Sequence, residues 1–286
     1  MVKSFSLKNS LNDYNKKLSI CILGLGEIGS SALEYIRGKQ LNVFGYDIDH
    51  EAVRRTKEQG ILAFTEWNEV PSASIYIICV STWNKNGKPD LKPIFDISKK
   101  IAQNINDDSL VSIESTIIPG TSRKLHNSIL KGVEIVHVPH RFWNEAPVEH
   151  GVRQLRVIGG INAESLESGK RFYRDVLGIP LSETTSIEIA EICKISENAY
   201  RFVQIAFAEE LRMICEDLGL DFQEVRKACN TKWNVELLDA REGIGGKCLP
   251  KDRSNLASLS KKNTLLRASK RVDEQYRKWL NRNAAG

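Results

Sequence analysis

Residues 18–29 read Leu-Ser-Ile-Cys-Ile-Leu-Gly-Leu-Gly-Glu-Ile-Gly, a short apolar run that leads directly into three glycines spaced as Gly-x-Gly-x-x-Gly. The apolar run is typical of a buried strand, and the pattern after the glycines, as far as Ile36, is typical of a helix. In such a turn Gly24 permits the sharp change of direction, Gly26 lets the backbone approach a pyrophosphate, and Gly29 allows the helix to pack closely on the strand. The stretch therefore predicts a strand, turn and helix that bind a dinucleotide.

A second apolar segment ends in a carboxylate where the ribose of a dinucleotide would lie. Residues 42–46 are predicted to form the strand, and Asp47 follows about 20 residues beyond the glycines. A carboxylate there can hydrogen-bond the adenosine ribose and would repel a 2′-phosphate, so we expect NAD rather than NADP. Arg54 and Arg55 lie near enough to leave NADP open, although a solvent-exposed helix face is their alternative role. The cofactor-binding residues predicted from these two segments are Gly24, Gly26, Glu27, Ile28, Gly29 and Asp47.

Apolar segments of strand length recur through the first part of the chain, with helical patterns between them. The predicted strands are Ser19–Leu23, Val43–Tyr46, Ser74–Cys79, Leu110–Ile113, Glu134–His137 and Leu155–Ile158. Strands that alternate with helices pair in parallel through crossover connections, so we predict an α/β fold with a Rossmann-type, doubly wound parallel sheet over residues 18–183. Ligands of such sheets bind at the carboxyl ends of the strands.

The pattern changes from Ser186 onward, where apolar residues recur every three or four positions through Leu218 without a proline or glycine. Roughly thirty such residues would form a helix about 45 Å long at 1.5 Å per residue. A helix of that length with apolar residues on more than one face usually has a partner, so we expect residues 186–219 to form a homodimer interface. The predicted all-helical dimerisation domain, residues 184–286, contains this long central helix and further helices at 221–229 and 254–281.

Composition excludes several classes of protein. The 286 residues are 41% hydrophobic, which is enough for a real core. The net charge of +5 comes from 41 basic and 36 acidic residues spread along the chain, without the dense basic runs of a nucleic-acid-binding protein. There is no apolar stretch of membrane-spanning length, and residues 1–17, predicted to be an extension outside the fold, lack the apolar core of a secretory signal, so we expect a cytoplasmic protein. The six cysteines show no metal-ligand spacing, so no structural metal is expected.

Residues 243–252, Gly-Ile-Gly-Gly-Lys-Cys-Leu-Pro-Lys-Asp, place one cysteine in a glycine-rich turn between two lysines. A nearby positive charge favours the thiolate over the thiol, and small neighbours let a substrate carbon approach the sulfur. A free cysteine can also be a small buried hydrophobe, and Gly-Gly can be only a turn. The charged neighbours Lys247, Lys251 and Asp252 argue against an apolar core position, so Cys248 is the candidate nucleophile.

Five short motifs, in this order, give the chain a resemblance that covers it from Leu18 onward. They are residues 24–29; Val80-Ser81-Thr82 with residues 86–91 (Asn-Gly-Lys-Pro-Asp-Leu); residues 114–121 (Glu-Ser-Thr-Ile-Ile-Pro-Gly-Thr); Glu191-Ile192-Cys193-Lys194 with Asn198; and residues 245–252. In these motifs the chain resembles the nucleotide-sugar dehydrogenases, which oxidise UDP-glucose, GDP-mannose or UDP-N-acetylmannosamine to the uronate. The last motif is the most specific. The resemblance implies five further cofactor-binding residues, which are Val80, Ser81, Thr82, Ser115 and Thr116.

The resemblance implies a four-electron oxidation in which two hydrides pass in turn to two molecules of NAD. A primary alcohol of the sugar becomes an aldehyde, Cys248 adds to it, the thiohemiacetal loses a second hydride, and water cleaves the thioester. Lys194 would stabilise the developing oxyanion, and Asn198, on the same helical face, would hydrogen-bond that oxygen or a catalytic water. Asp252 would accept a proton or hold that water, and Thr116 would carry a hydroxyl into the relay. The alternative role of Lys194 and Asn198 is a solvent-exposed helix face.

The chain departs from the family in the loop after the fifth strand, where residues 139–141 are Pro-His-Arg in place of Pro-Glu-Arg or Pro-Glu-Phe. His140 thus replaces the glutamate thought to assist thioester hydrolysis. A neutral imidazole can act as a base near neutral pH, and Glu145 is close in sequence, so the hydrolytic step stays open. Ser81 and Trp83 stand where the family has two prolines, which is expected to change the shape of the cofactor-side loop. The predicted substrate-side residues are His140, Arg141, Glu145, Lys232, Gly245 and Lys251.

Members of the family continue into a second nucleotide-binding domain after helices like those near residues 265–280, whereas this sequence stops at Gly286. The chain would then be a fragment, a short form whose substrate site is completed by a separate chain, or an enzyme of a smaller substrate. A dinucleotide domain followed by helices, with Lys194 and Asn198 four residues apart, also resembles the 3-hydroxyacid dehydrogenases, which transfer one hydride and use no cysteine. A third interpretation is a non-catalytic, NAD-binding subunit of a larger dehydrogenase.

Overall fold

The computed structural model describes residues 18–84, 89–106, 108–143, 146 and 149–283, and the first part of the chain forms an eight-stranded sheet. The strands are β1 (Ser19–Leu23), β2 (Asn42–Tyr46), β3 (Ala63–Phe64), β4 (Ile75–Ile78), β5 (Leu110–Ile113), β6 (Glu134–His137), β7 (Arg156–Gly160) and β8 (Leu181–Glu183). They lie in the order β3-β2-β1-β4-β5-β6-β7-β8, and β1 to β6 are parallel. The order reverses direction between β1 and β4, where doubly wound sheets bind their ligands. The predicted fold class is confirmed.

The pairing of β7 corrects the prediction that every strand is parallel. β7 is antiparallel to β6, with Val136 opposite Gly160, and β8 is parallel to β7. The described part of the connection between β6 and β7 contains no helix that would carry the chain back across a sheet face, so β7 returns in the opposite direction. The sequence did not predict β3 and β8, because strands of two and three residues are too short to show a pattern.

Alternation along β1 shows how the sheet builds a hydrophobic core on each face. Ile20 and Ile22 belong to one buried cluster, and Cys21 and Leu23 belong to the other. Because successive side chains of a strand point to opposite faces, a strand that is apolar at every position has to be covered on both sides. The helices that accompany the sheet in the first part of the chain are α1 (Glu27–Gly38), α2 (His50–Glu58), α3 (Lys92–Asn104), α4 (Thr121–Ser128) and α5 (Ala163–Lys170). The same part contains a 3₁₀ turn at Trp67–Glu69 and a π-helical turn at Arg171–Val176.

The helical part of the chain begins with α6 (Ile187–Asp217), whose 31 residues confirm the predicted long helix. In the part of the chain that the structure describes, three helices follow it: α7 (Phe222–Cys229), α8 (Cys248–Ser258) and α9 (Thr264–Asn283). α7 begins as predicted because the Asp221 carboxylate accepts a hydrogen bond from the N–H of Gln223 and so caps the helix. α8 begins earlier than the predicted residue 254, so Cys248 lies in the first turn of a helix.

Two compact units are found in the described residues. Among the described residues, the first contains 18–84 and 90–193, and the second contains Pro89 and the residues from Lys194 onward. The division falls inside α6, whereas the sequence places the domain boundary at residues 183/184, before that helix. The second unit has buried clusters of its own, which include Phe202 and Tyr276. Among the described helices, none combines the length and the apolar composition needed to cross a membrane.

Candidate functional site

The glycine turn between β1 and α1 is a backbone structure in which each glycine has a different neighbourhood. Gly24 has a φ of +99°, and a Cβ there would lie 2.8 Å from the carbonyl carbon of Cys79. A Cβ on Gly29 would lie 1.7 Å from the carbonyl oxygen of Gly24, so α1 can approach β1 only without one. A Cβ on Gly26 would meet no described atom within 4 Å, so its backbone faces open space. The turn therefore fits a pyrophosphate, which needs close access to the backbone.

The start of α1 provides attraction for an anion. Gly26 precedes the helix and offers no side-chain cap, and both Gly26 and Glu27 are exposed, whereas Ile28 is half-buried. The first backbone N–H groups of a helix have no partner within the helix, and the helix dipole places partial positive charge there. A negatively charged phosphate is the ligand that such a helix start favours.

The carboxylate of Asp47 ties the end of β2 to the same turn. Its Oδ2 accepts a hydrogen bond from the N–H of Leu25 at 2.6 Å, and its Oδ1 accepts one from the N–H two residues further along at 2.9 Å. Each carboxylate oxygen has a second lone pair, so the half-buried group can still accept a ribose hydroxyl. Arg54 and Arg55 both pair with Glu51 on the exposed face of their own helix, which is the solvent-exposed role considered for them.

The segments that follow β4 and β5 bring the other predicted cofactor-side residues together. Ser115 donates from Oγ to the carbonyl oxygen of Val80 at 2.7 Å, which joins the two segments. Ser81 is exposed, Thr82 is buried and Thr116 is half-buried. These residues lie at the carboxyl ends of neighbouring parallel strands, the edge at which this fold binds ligands.

Glu191 of α6 fixes the segment that follows Thr116. Its two carboxylate oxygens accept hydrogen bonds from the N–H groups of Gly120 at 2.6 Å and Ser122 at 2.8 Å, so it caps α4, which begins after a glycine without a capping side chain. Burial raises the pKa of Glu191, although its hydrogen bonds act in the opposite direction. The sequence placed Glu191 in a motif but gave it no role, because its partners are far away along the chain.

A buried charge network surrounds Glu114, the residue after β5. Arg156 places Nη1 3.0 Å from its Oε1, Tyr173 donates to the same oxygen, and the imidazole of His140 contacts Oε2. Arg156 also lies 3.0 Å from Nδ1 of His140. Burial alone would raise the pKa of Glu114, but the charges of Arg156 and His140 and the hydrogen bonds to the carboxylate lower it to about 2. Glu114 is therefore an ionised carboxylate whose charge is compensated inside the protein, a role that the sequence did not indicate.

Cys79 lies beside the same carboxylate, and Cys79, Glu114 and His140 offer three potential metal ligands within 4.8 Å of one another. The chemistry of the set does not fit a metal ion. The guanidinium of Arg156 already neutralises Glu114. Burial, and then the charge of Glu114, raise the pKa of the Cys79 thiol, whereas a metal needs the thiolate. The cluster is a compensated ion-pair network.

Cys248 in the second unit is the first residue of α8, and it is exposed. This position excludes the alternative of a buried core cysteine. The neighbouring lysines differ, because Lys247 is exposed whereas Lys251 is buried and places Nζ 2.9 Å from Oδ1 of Asp252. The expected pair of cations beside the thiol is therefore one exposed lysine and one lysine bound to a carboxylate.

Asp252 joins α8 to α6 from a fully buried position. Asn198 donates from Nδ2 to its Oδ2 at 2.5 Å, and Lys251 pairs with its other oxygen. Lys194 is half-buried one helical turn before Asn198, and Asp252 follows Cys248 by one turn of α8. The structure thus brings together Asn198, Lys251 and Asp252, which the sequence selected from separate segments.

The remaining residues that were predicted on the substrate side, Arg141, Lys232 and Gly245, lie outside the cluster of Asn198, Lys251 and Asp252. Arg141 donates from its guanidinium to the carbonyl oxygen of Leu155 at 2.8 Å. Lys232 and Gly245 are exposed in the second unit. The predictions that lie outside the described residues are those for Glu145, for residues 1–17 and for residues 86–88.

Two family models match the chain along most of its length. The NAD-binding domain of the UDP-glucose/GDP-mannose dehydrogenase family matches residues 53–177, and the central domain of the same family matches residues 188–275. The cofactor is NAD, which agrees with the open backbone at Gly26 and with the carboxylate of Asp47.

Individual relatives agree with the family models. A UDP-N-acetyl-D-mannosamine dehydrogenase of Methanococcus maripaludis is 28% identical over 284 residues, which cover 92% of this chain and 66% of that protein. One from Pyrococcus horikoshii is 30% identical over 90% of this chain and 68% of that protein. The solved UDP-D-ManNAc dehydrogenase of Pyrococcus horikoshii has a TM-score of 0.83 at 27% identity, over 91% of this chain and 69% of that one. The chain spans about two thirds of the length of these relatives, and it belongs to the UDP-glucose/GDP-mannose dehydrogenase family.

Proposed function

We propose that this chain provides the NAD-binding and thiol-bearing parts of a dehydrogenase that oxidises the primary alcohol of a nucleotide sugar to the carboxylate. Family membership supports a nucleotide-sugar substrate, and the relatives named for UDP-N-acetyl-D-mannosamine make that compound the first to test. The observation that carries the proposal is the exposed Cys248 at the start of α8, one turn before a buried carboxylate held by Asn198 and Lys251. A dehydrogenase that transfers a single hydride needs no thiol.

In the proposed reaction, residues of this chain bind the sugar carbon that is oxidised and transfer protons to and from its oxygen. NAD held at the turn of residues 24–29 and Asp47 would supply the hydride acceptor for each of the two oxidations. In the first, the alcohol carbon loses a hydride and the hydroxyl loses its proton to a base, which gives the aldehyde. The sulfur of Cys248 bonds to the aldehyde carbon formed in the first, and the carbonyl oxygen takes up a proton to give a thiohemiacetal. Loss of the second hydride from that carbon and of the hydroxyl proton to a base gives a thioester. Water then adds to the thioester, the C–S bond breaks, and the carboxylate and the free thiol are released.

Proton transfer in these steps is assigned to Asp252 and charge stabilisation to Lys194. Asp252 is held by Asn198 and Lys251, so it has one fixed position next to the turn that bears the thiol. We infer that Asp252, rather than His140, holds the hydrolytic water. The imidazole of His140 is 6% exposed and contacts both Glu114 and Arg156, so in this chain it serves the buried ion-pair network.

A homodimer through residues 186–219 is part of the proposal. In the second unit α6 carries large exposed apolar side chains at Tyr200, Phe207 and Ile214, which are 65%, 59% and 47% exposed. Residues seven apart lie on the same face of a helix, so these three form one apolar stripe. An identical stripe on a second copy is a partner that a two-fold axis can supply.

The amount of NADH formed per molecule of sugar tests the reaction. The purified chain is incubated with NAD and a limiting amount of UDP-N-acetylmannosamine, UDP-glucose, GDP-mannose or a 3-hydroxyacid, and NADH and uronate are counted. Two NADH per uronate support the proposal. One NADH per substrate, obtained with 3-hydroxyacids, supports the single-hydride alternative, and turnover that appears only after a full-length family member is added supports a non-catalytic subunit.

A further inference from the structure

The segment before Cys248 is held at one peptide by two side chains of α9. The N–H of Ile244 donates to Oδ1 of Asp273 at 2.8 Å, and Arg277 donates from Nη2 to the carbonyl oxygen of Ile244 at 2.7 Å. Asp273 and Arg277 lie one helical turn apart and pair at 3.1 Å. A single ion pair therefore binds both the donor and the acceptor of one residue in the segment that leads to the thiol.

Packing around this residue shows how closely the segment is fitted. Gly243 has a φ of +92°, and a Cβ there would lie 2.8 Å from Cζ of Arg277. The side chain of Ile244 is buried in a cluster with Phe202 and Ala206 of α6. Residues 245–248 that follow are exposed, so the hold at Ile244 is the nearest buried anchor on the N-terminal side of the thiol.

A buried carboxyl group of α6 lies close to this ion pair. Glu209 is 0% exposed, and neither of its carboxyl oxygens has a hydrogen-bond partner among the described residues. Burial and the negative charge of Asp273 raise the pKa of Glu209 to about 8, although Arg277 acts in the opposite direction. The groups that face this region are Asp273, Glu274, Tyr276 and Arg277 of α9, Arg212 of α6, Asp239, and Arg253 of α8.

The charge of Glu209 changes what the ion pair has to balance. When Glu209 is protonated, the one negative charge of Asp273 is matched by the one positive charge of Arg277. When Glu209 loses its proton, it adds a second negative charge beside Asp273, and Arg277 is the cation whose charge offsets that of Glu209. Repulsion between the two carboxylates then opposes the conformation in which Asp273 and Arg277 hold Ile244. The hydrogen bonds of Asp273 and Arg277 to Ile244 then compete with the need to compensate Glu209.

We propose that Asp273 and Arg277 are positioning residues that hold the Cys248 segment through the peptide of Ile244, and that the buried Glu209 makes this hold weaken as the pH rises. The consequence for turnover rests on the proposed function, but the hold itself does not. The pKa of Glu209 is raised from 4.5 to about 8 because the folded chain favours the protonated carboxyl group. The contribution of this group to the stability of the folded state is therefore complete below pH 4.5 and is lost as the pH rises to about 8. Within that window an opening that returns Glu209 to water becomes easier by up to about tenfold per pH unit, and above it the effect levels off.

Hydrogen exchange at Ile244 tests the pH dependence. Exchange of a peptide that contains this N–H is followed by mass spectrometry at pH 6 and pH 8 and corrected for the intrinsic chemical rate. In the wild-type chain we expect protection to fall by about tenfold or more between these pH values. Glu209→Gln should remove the fall, and Glu210→Gln, a matched change at the exposed neighbouring residue, should leave it unchanged. The same fall in Glu209→Gln as in the wild type would overturn the role of Glu209.

Alkylation of the two exposed thiols tests the positioning role. Asp273→Ala removes the acceptor for the N–H of Ile244, and Asp273→Asn keeps an acceptor but removes the charge. With iodoacetamide at constant pH we expect Cys248 to react severalfold faster in Asp273→Ala and to recover towards the wild-type rate in Asp273→Asn, while Cys229, exposed at the end of α7, keeps its rate. An unchanged rate at Cys248 in Asp273→Ala would overturn the proposal. Neither measurement needs a substrate, so a lack of dehydrogenase activity would contradict the proposed function alone.

Discussion

The glycine turn of the first unit and the Cys248 segment of the second are both loops at the start of a helix, but they are held in place by different means. The glycine turn is fixed by backbone atoms, since a Cβ on Gly29 would fall 1.7 Å from the carbonyl oxygen of Gly24. The Cys248 segment is fixed by side chains, since Asp273 and Arg277 hold the peptide of Ile244. A loop that is fixed by its own backbone can be recognised from a few adjacent residues of the sequence, whereas a loop that is fixed by side chains far along the chain cannot.

The same contrast appears in two buried carboxyl groups. Glu114 and Glu209 are both almost completely buried, yet the pKa of Glu114 is lowered to about 2 and that of Glu209 is raised to about 8. Glu114 has Arg156, His140 and the Tyr173 hydroxyl in contact, whereas Glu209 has no hydrogen-bond partner among the described residues. Burial alone therefore does not set the charge of a carboxyl group, and the partners decide it.

The largest expected effect is that of Cys248→Ser, which tests whether the second unit supplies chemistry that the sheet cannot. Uronate formation should be abolished, because a hydroxyl is a far weaker nucleophile than a thiol at neutral pH. NAD affinity should be unchanged, because the predicted cofactor-binding residues all lie in the first unit. Mass spectrometry of the product and calorimetric titration with NAD measure the two effects. Cys229→Ser is the matched control, and undiminished uronate output from Cys248→Ser would rule out the covalent steps.

Arg156→Met is expected to have the next largest effect, because it removes the cation that compensates Glu114. The buried carboxylate then keeps His140 and Tyr173 as partners, and the loss of the guanidinium should lower the free energy of unfolding by about 3–5 kcal/mol at neutral pH, as measured by urea denaturation. Arg54→Met breaks exposed, solvent-screened pairs and should leave the free energy of unfolding almost unchanged. The double variant Glu114→Gln/Arg156→Met should recover much of the loss. Equal stability of Arg156→Met and the wild type would show that the network is not a compensated charge.

The pH dependence of this network has the opposite sign to that of Glu209. The lowered pKa of Glu114 stabilises the fold above its ordinary value of 4.5, and this contribution is lost as the pH falls from 4.5 towards 2. Wild-type stability should therefore fall in acid by more than that of Arg156→Met, whereas the hold on Ile244 weakens towards alkaline pH. Urea titrations below pH 5 and hydrogen exchange between pH 6 and 8 separate the two groups.

Much of the sheet could be predicted from the sequence, because its patterns are local. The bounds of Ser19–Leu23, Leu110–Ile113 and Glu134–His137 agree with the structure. The direction of β7 was wrong, because pairing direction depends on the path of the connection and not on the strand itself. The apolar pattern of a strand is the same whether the strand pairs in a parallel or an antiparallel direction.

The candidate site divides in the same way. Residues selected by local spacing, such as the turn glycines and Asp47, lie together at one edge of the sheet, where Asp47 accepts a hydrogen bond from the glycine turn. The partners of Glu114 and Ile244 could not be predicted, because Arg156 and Asp273 are ordinary charged residues far along the chain from them. Such contacts become visible only when the fold brings the elements together.

The smallest expected effects compare two glycines of one turn. Gly29→Ala should lower the free energy of unfolding by about 1–3 kcal/mol, because its Cβ would meet backbone that cannot give way easily. Gly26→Ala should change stability by less than about 0.5 kcal/mol, because its Cβ points into open space, but that space is where the pyrophosphate has to approach. Urea denaturation and NAD titration of both variants measure these effects. If Gly26→Ala lost stability and kept its NAD affinity, the division of roles within the turn would be wrong, and the backbone account of the first unit would fail with it.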